Sequence, residues 1–580
     1  MAFKVVATGG DLKVVLYRGE RMCLIGMDMS PKPGPDFVGF AIEVKAPDAT
    51  DFEFLKNRLA FSYPPGGGVT GNRDHPTNEA PLQTFRWIHF PWKPQTGAYT
   101  YRVTAMTMDA TGVLKAGDSV TAQIILFDAT LPGFVDVGFT KNFASSQAFT
   151  DAFPDEASRN LILPASGKDG IGFDKSKAPP GVYAWLAGKA NDLLWALLDE
   201  AENNDDATLD VLAYDLNEPD VVSALEKVAK RGTAQSPSLR IVIDNSADHA
   251  DHDSSESIAA ARLQTAGAVV VRHHFKSLQH NKVMVLKRNG VLVRAICGST
   301  NFSFRGLYIQ ANNMLSFTAP TMVKLVDDMV QLALKGPTAL PADPLSQAWQ
   351  AASTDDANAR ICFSPHPHNS DLSLTPLEGA IEQASSSVLY AIAFLAQDTK
   401  GPIRKAMDRL VGKPLFSYGI VDKEGKLSIN KPDGTEGVVD FAYLSAHAPV
   451  PFSGEWSGGQ GITIHHKYVV VDFNLPTAKV FCGSSNLSLS GEENNGDHLI
   501  QISDPRVAVA YAVEALRMFD HLRFRTKMKE AGVPKKGEAA APGAGTITLA
   551  KPPPAGQDAW FEPFYKPDTQ KLRDRVLFSS

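Results

Sequence analysis

The sequence predicts an α/β protein in which one unit occurs twice, preceded by an all-β sandwich. Three observations carry that prediction. A His-x-Lys pair, followed by Gly-Ser-x-Asn 18 residues after the His, occurs at His280 and again at His465, a shift of 185 residues. Around each copy, apolar strand-like runs alternate with helical patterns. Before residue 130, by contrast, only short strand-like runs recur, separated by Gly, Pro and Asp clusters.

Taken in order, runs at 12–17, 22–27, 38–44, 85–90, 99–107 and 120–127 predict an immunoglobulin-like β-sandwich over residues 1–130. Trp87 and Trp92 read as its core aromatics, and nothing in it has catalytic spacing. It reads as an accessory domain for targeting, substrate shaping or oligomerisation, and as a candidate surface for a protein partner. Residues 131–180 are Gly-, Pro- and Ser-containing and read as a linker. The first unit spans 181–335. It opens with a helix at 182–202, then alternates strand 208–214, helix 220–230, strand 239–243, helix 255–266 and strand 268–272 before the motif. A bridge at 336–375 leads to the second unit, 376–525, with strand 387–394, helix 403–411, strand 415–421 and a closing helix at 504–525. Where its second helix would fall, residues 422–461 are polar and Gly-rich, with Trp456 the one tryptophan; a surface excursion and a lid both fit. Residues 526–558 collapse to Ala, Gly, Pro and Lys and read as a flexible linker. The aromatic stretch 559–580 reads as a tail that docks back.

Within 461–497, His465 and Lys467 stand at i and i+2, Asp472 follows five residues after the Lys, and Gly483-Ser484-Ser485-Asn486 comes next. The apolar run Tyr468-Val469-Val470-Val471 reads as a buried strand, on which i and i+2 share a face. A His beside a Lys is costly to bury unless an anion sits there. A phosphate is the simplest such guest, with Lys as a point charge and His as base, acid or nucleophile. The first copy has His280, Lys282, Val283-Met284-Val285-Leu286 and Gly298-Ser299-Thr300-Asn301, with Cys297 matching Cys482 before the Gly. Two such pairs across a pseudo-dyad would put two imidazoles on one phosphate.

HxKx4D followed by GSxN, present twice, resembles the phospholipase D superfamily over residues 180–525. The second copy matches in full. The first carries Lys287 where the second has Asp472, and Asn312 where the second has the family's carboxylate, Asp497, fourteen residues after the Gly. The resemblance implies two tandem α-β-α sandwich units sharing one pseudo-twofold active site. It also implies phosphodiester cleavage without metal or cofactor, through a covalent phosphohistidine. His280 is then the nucleophile and His465 the acid; Lys282, Lys467, Asn301 and Asn486 hold the phosphate, assisted by Ser299 and Ser484 through hydroxyl or backbone N–H. Lys287 removes a support outside the reacting centre. Asn312 still accepts from an imidazole N–H but as a neutral group, which lowers the basicity of the histidine it orients. Whether Asn312 and Asp497 serve the histidine of their own half or of the other half is open in the sequence.

The remaining signals exclude more than they assign. At 580 residues the chain is too long for one core, and three or four domains are expected. His465-His466 and His273-His274 do not read as zinc sites, because adjacent strand residues face opposite ways and no Cys or His completes a tetrahedral set. His466 reads as structural, and His498 has no assigned part. Cys23, Cys297, Cys362 and Cys482 lack paired spacing and read as small buried hydrophobes. The N-terminal residues show no signal-peptide core and no run of 18 apolar residues occurs, so a cytoplasmic protein is expected, with signal-independent export left open. The net charge of −7 gives no global basic footprint, yet residues 272–294 carry six Lys/Arg and no acid. That basic stretch and the expected location lean slightly to a nuclease on DNA or RNA. The acidic whole and the 422–461 insertion favour the alternative, a phospholipase D acting on phosphatidyl groups. Lys287 and Asn312 motivate a third reading, a catalytically weak phosphate-binding scaffold.

Overall fold

In the computed structural model the N-terminal strands form two four-stranded antiparallel sheets around a shared core. The structure describes residues 2–64, 73–91, 94–126, 129–146, 152–366, 371–395, 400–422, 438–440, 463–530 and 547–580, with isolated positions between them. One sheet runs Lys4–Gly9, Leu12–Arg18, Cys23–Met29, Arg86–His89; the other Leu114–Leu126, Gly97–Met108, Phe37–Lys45, Glu53–Phe54. In Gly97–Met108 burial alternates along the strand, as a sheet with one buried face requires. Trp87 lies partly buried against this core, and Trp92 lies outside the described residues.

The rest is mixed α/β, built on two larger sheets. The first has the order Val135–Lys141, Ala311–Phe317, Val291–Gly298, Val283–Arg288, Ala207–Ala213, Leu239–Ile243, Val269–Arg272. The second runs Gln350–Ala351, Asn358–Ser364, Asp497–Ser503, Lys479–Gly483, Lys467–Val471, Ser387–Ile392, Phe416–Val421, Val438–Asp440. Apart from the extra edge pair Gln350–Ala351, the two orders correspond strand for strand, and in both the last three strands are parallel. The motif strands are buried on both faces. Val283 and Val285 enter one core and Met284 and Leu286 another, and Tyr468 and Val470 divide from Val469 and Val471 in the same way. Helices Val182–Glu202 and Pro505–Glu530 each cover one of the sheets.

Three segments differ from the sequence expectation. Residues 131–180 are not merely a linker: Val135–Lys141 pairs antiparallel with Ala311–Phe317, its inward Val135, Val137 and Phe139 masked in the sequence by flanking turn residues. The 336–375 bridge likewise contains Asn358–Ser364, which occupies the equivalent place beside Asp497–Ser503. The 526–558 stretch is not a free linker where it is described. Residues 526–530 extend the helix Pro505–Glu530, and the backbone after residue 546 lies on the sandwich, with Leu549 N–H donating to the Ala60 carbonyl and Ala550 exchanging hydrogen bonds with Gln83. Backbone pairing of this kind is indifferent to composition. Most of 422–461, with Trp456, lies outside the described residues. All four cysteines are free and buried. Among the described residues no helix is long and apolar enough to cross a membrane.

The C-terminal helix Gln570–Ser579 joins the sandwich to the second sheet. Phe578, fully buried, meets Phe416 at 5.1 Å and Phe473 at 5.5 Å, while Arg86 of the sandwich pairs with Asp574 at 2.8 Å and with Asp520. Phe578→Ala should therefore destabilise this junction by about 3 kcal/mol, and Phe578→Leu by less. Urea unfolding followed by tryptophan fluorescence tests this; an unchanged midpoint in the Ala variant would mean the junction does not depend on the ring.

Candidate active site

Each motif histidine is completed by the opposite half. Gln279 bridges in parallel to Gly496, with His280 N–H donating to the Gly496 carbonyl at 2.9 Å. Ala311 bridges to Ile464 in the mirrored way, with His465 N–H donating to the Ala311 carbonyl at 3.0 Å. These two short ladders carry the next residues into register. His280 Nδ1 lies 2.8 Å from Asp497 Oδ1, and His465 Nδ1 lies 2.8 Å from Asn312 Oδ1. The question left open by the sequence is thus resolved in favour of the crossed arrangement. In both cases Nδ1–H donates to the oxygen, which leaves Nε2 of each ring for chemistry.

The two lysines complete a buried, cation-rich centre. Lys282 and Lys467 are at most 1% exposed, and their ammonium groups donate to the carbonyls of His280 and His465. Tyr214 lies beneath Lys282 at 4.8 Å and Phe394 beneath Lys467 at 5.8 Å. Burial lowers the Lys282 pKa to about 8 despite Asp497, Asp215 and Asp244. Burial and the charge of Lys282 push Lys467 well below its usual range. The imidazoles respond to the same field. Burial and Lys282 lower His280, with Asp497 opposing; burial, Lys467, Lys282 and His280 lower His465 further still. The crossed bridges and hydrogen bonds bring these four groups together in one candidate site, and its two buried ammonium groups would suit an anion.

The other sequence-named residues divide between this centre and its supports. Asn301 donates to Asp215 Oδ2 at 2.6 Å, and the Oδ1 atoms of Asn301 and Asn486 have no hydrogen-bond partner among the described residues. Ser299 and Ser484 are not aimed at a phosphate through their hydroxyls. Each has one O–H to give, and it is spent on Asn312 Oδ1 at 2.9 Å and Asp497 Oδ1 at 2.7 Å respectively, fixing the histidine's acceptor. Asp472 sits away from the reacting groups and accepts from the backbone N–H of Ser385, Ser386 and Ser387, tying the motif strand to its neighbour. Lys287, at the equivalent place, pairs instead with Asp210 at 2.9 Å and Asp327 at 2.7 Å. His498 is a staple between halves, with Nδ1 2.8 Å from Asn281 Oδ1 and Nε2 accepting from Gly298 N–H; burial lowers its pKa to about 3. His466 is fully buried, 3.8 Å from Glu514.

Sequence reasoning missed Asp244, Asp422, Asp215, His249 and Glu492. Asp244 and Asp422 follow the second parallel strand of each half and accept from the backbone N–H of Gln279 and Ile464, the residues just before the two histidines, at 2.7 Å each. The recurrence of an apolar run ending in Val-x-Asp or Val-Asp (IVID, GIVD) at those two places was the available signal. Glu492 accepts from Ser485 and Ser373, and burial pushes its carboxyl up to about 7. His249 has a sequence context with no motif, and only the fold brings it beside Asp215.

The basic stretch 272–294 is not a free cationic row. Arg272 donates to the carbonyls of Asp244 and His249, Lys276 pairs with Glu493, Lys287 with Asp210, Arg288 with Asp206 and Arg294 with Glu200. Lys282 is its member in the active site.

A family model described as "Cardiolipin synthase, PLD-like domain" matches residues 194–332, which include His280, Lys282 and Asn301. No curated protein matches the chain. Among solved structures, polyphosphate kinase from Porphyromonas gingivalis is 14% identical, with 64% of this chain and 53% of that one covered and a TM-score of 0.39; this chain thus spans about half of that enzyme. Phosphatidylserine synthase from Haemophilus influenzae Rd KW20 is 12% identical over 58% of this chain and 84% of that one, with a TM-score of 0.38. Nuc from Salmonella typhimurium, a phospholipase D family member, is 21% identical over 23% and 82%, with a TM-score of 0.20. At such scores these likenesses carry no weight for activity. The family match thus places residues 194–332 as a PLD-like domain of the phospholipase D superfamily, and the HxK and GSxN motifs within it recur at 465–467 and 483–486.

Proposed function

We propose that the chain is a phosphodiesterase built of two copies of one PLD-like unit behind an immunoglobulin-like sandwich, and that it cleaves through a covalent phosphohistidine. The observation that carries this is the crossed pair: His280 on Asp497 and His465 on Asn312, each with a buried lysine donating to its own carbonyl. Attack by His280 Nε2 on phosphorus turns the imidazole into a cation, and the Asp497 carboxylate on Nδ1–H compensates that charge. Neutral Asn312 could not, which assigns the nucleophile to the first half. His465 protonates the departing oxygen; its low proton affinity makes it a strong acid once the substrate's negative charge has helped to load it. Neutral His465 then takes a proton from water, which opens the phosphohistidine and restores both histidines. Lys282, Lys467, Asn301 and Asn486 balance the non-bridging oxygens. No step calls for a metal.

For substrate, nucleic acid stays the first to try, but the pairing of the 272–294 cations removes the basic row that spoke for it, and phosphatidyl substrates stand beside it. The chemistry is therefore tested first on bis(4-nitrophenyl) phosphate, then on single-stranded DNA and on phosphatidylcholine vesicles. Wild type should turn over in excess EDTA, and His280→Ala and His465→Ala should each lose about 1,000-fold or more in kcat. A wild type inert on all three substrates would favour the phosphate-binding scaffold.

The role assignment is tested by pH. Because the pKa of His465 in the free enzyme lies below 6.5, kcat/KM should fall as pH rises through it, giving an acidic optimum. Asn312→Asp sets a carboxylate on His465 Nδ1 and raises that pKa, so the alkaline limb should move up by about one unit or more. If the acidic limb moved instead, His465 would be the nucleophile.

A further inference from the structure

Beside the first-half phosphate ligand lies a buried group that the mechanism above does not use. His249 is 6% exposed, with Nδ1 2.8 Å from Asp244 Oδ2, Nε2 3.2 Å from Asp215 Oδ1 and Glu256 at 4.0 Å. Both ring nitrogens face carboxylates, and a neutral imidazole has only one N–H to give, so the arrangement is that of an imidazolium. Burial opposes that charge, yet the hydrogen bonds to Asp215 and Asp244 raise the pKa to about 10. The free oxygens of both carboxylates reach the active site. Asp244 Oδ1 accepts from Gln279 N–H, next to His280, and Asp215 Oδ2 accepts from Asn301 Nδ2. Tyr214 fills the remaining gap, its ring 4.6 Å from His249 and 4.9 Å from His280.

The second half has only part of this. Asp422 repeats the role of Asp244, but by strand register the place of Asp215 is taken by Phe394. The first half therefore holds a carboxylate one hydrogen bond from where the phosphate would lie, an arrangement that opposes anion binding unless its charge is cancelled.

We infer that His249 is a positioning residue for the phosphate: its positive charge neutralises Asp215, so that Asp215 can orient the Asn301 amide without repelling the substrate. The chain Gln279–Asp244–His249–Asp215–Asn301 then ties the segment that carries His280 to Asn301. This rests on the phosphate reading of the site, and the test separates the two.

Binding of inorganic phosphate is measured by calorimetry, and KM and kcat on bis(4-nitrophenyl) phosphate alongside, for wild type, His249→Gln, Asp215→Asn and the double variant, each checked for folding by circular dichroism. His249→Gln should weaken phosphate binding by about tenfold or more and raise KM more than it lowers kcat. The double variant, with the carboxylate removed as well, should return to within about threefold of wild type, and Asp215→Asn alone should bind phosphate at least as tightly as wild type. A merely structural histidine would not be rescued by deleting its partner's charge. Unchanged binding in His249→Gln, no recovery in the double variant, or weakened binding in Asp215→Asn overturns the inference; Asp215→Asn keeps it testable if His249→Gln misfolds. Wild type that binds phosphate with these effects but cleaves no phosphodiester overturns the proposed function alone, and wild type that binds no phosphate overturns both.

Discussion

Neither half of this protein can finish its own active site. The constraint lies in two backbone ladders, Gln279 with Gly496 and Ala311 with Ile464, which set each motif histidine against a residue of the other half. Backbone pairing fixes register to the residue, and a slip by one would turn Asp497 away from His280 and bring His498 in. His498 holds the same seam from behind through Asn281 and Gly298. Halves that swing apart would therefore lose both imidazole partners together, so the composite site and the interface between the two sheets are one structural problem.

Charge is the second constraint. Burying two ammonium groups together is unfavourable, and burial lowers the pKa of both Lys282 and Lys467 against the opposing pull of Asp497 and Asp215. Further buried ion pairs lie nearby in the architecture. Lys141, from the first sheet's edge strand, bonds Glu20 of the sandwich at 2.6 Å and Glu514 of the long helix at 2.9 Å; Glu514 also binds Arg517 and faces His466. Removing one member of such a network strands a buried charge, which costs far more than the pair contributes. The sandwich is thus joined to the segment around His466 by electrostatics, besides the aromatic junction around Phe578.

Local patterns were legible in the sequence and long-range pairings were not. The doubled His-x-Lys and Gly-Ser-x-Asn segments were visible because their spacing recurs, although the strands begin only at Val283 and Lys467, so that neither histidine lies on the strand the sequence predicted for it. The helix at 182–202 was equally visible, since its stripe is periodic. Val135–Lys141 and Asn358–Ser364 escaped, and it is telling that they fill the same place in the two sheets. Each is separated from the strand it pairs with by more than a hundred residues and stands among turn formers, so nothing local marks it. The basic stretch 272–294 misled for the opposite reason: its acids, Glu200, Asp206, Asp210 and Glu493, are distant in sequence. The hydroxyls of Ser299 and Ser484 were misjudged because the motif gives their proximity to the site but not the direction of a single O–H.

The departures from twofold symmetry point one way. The first-half histidine receives a carboxylate, Asp497, and the second-half histidine an amide, Asn312. The first-half asparagine is held by Asp215 and, through it, His249, while the place of Asp215 in the second half belongs to Phe394, whose ring flanks His465 at 6.4 Å. A symmetric pair of imidazoles could exchange roles at each turnover. In the proposed mechanism, the ring that would carry positive charge after attack has the anion, and the ring that would release a proton has the neutral acceptor and the apolar neighbour, both of which weaken its hold on that proton. Asn312, which looks in isolation like the loss of a catalytic group, is on the proposed mechanism the substitution that suits the second half to the role of acid.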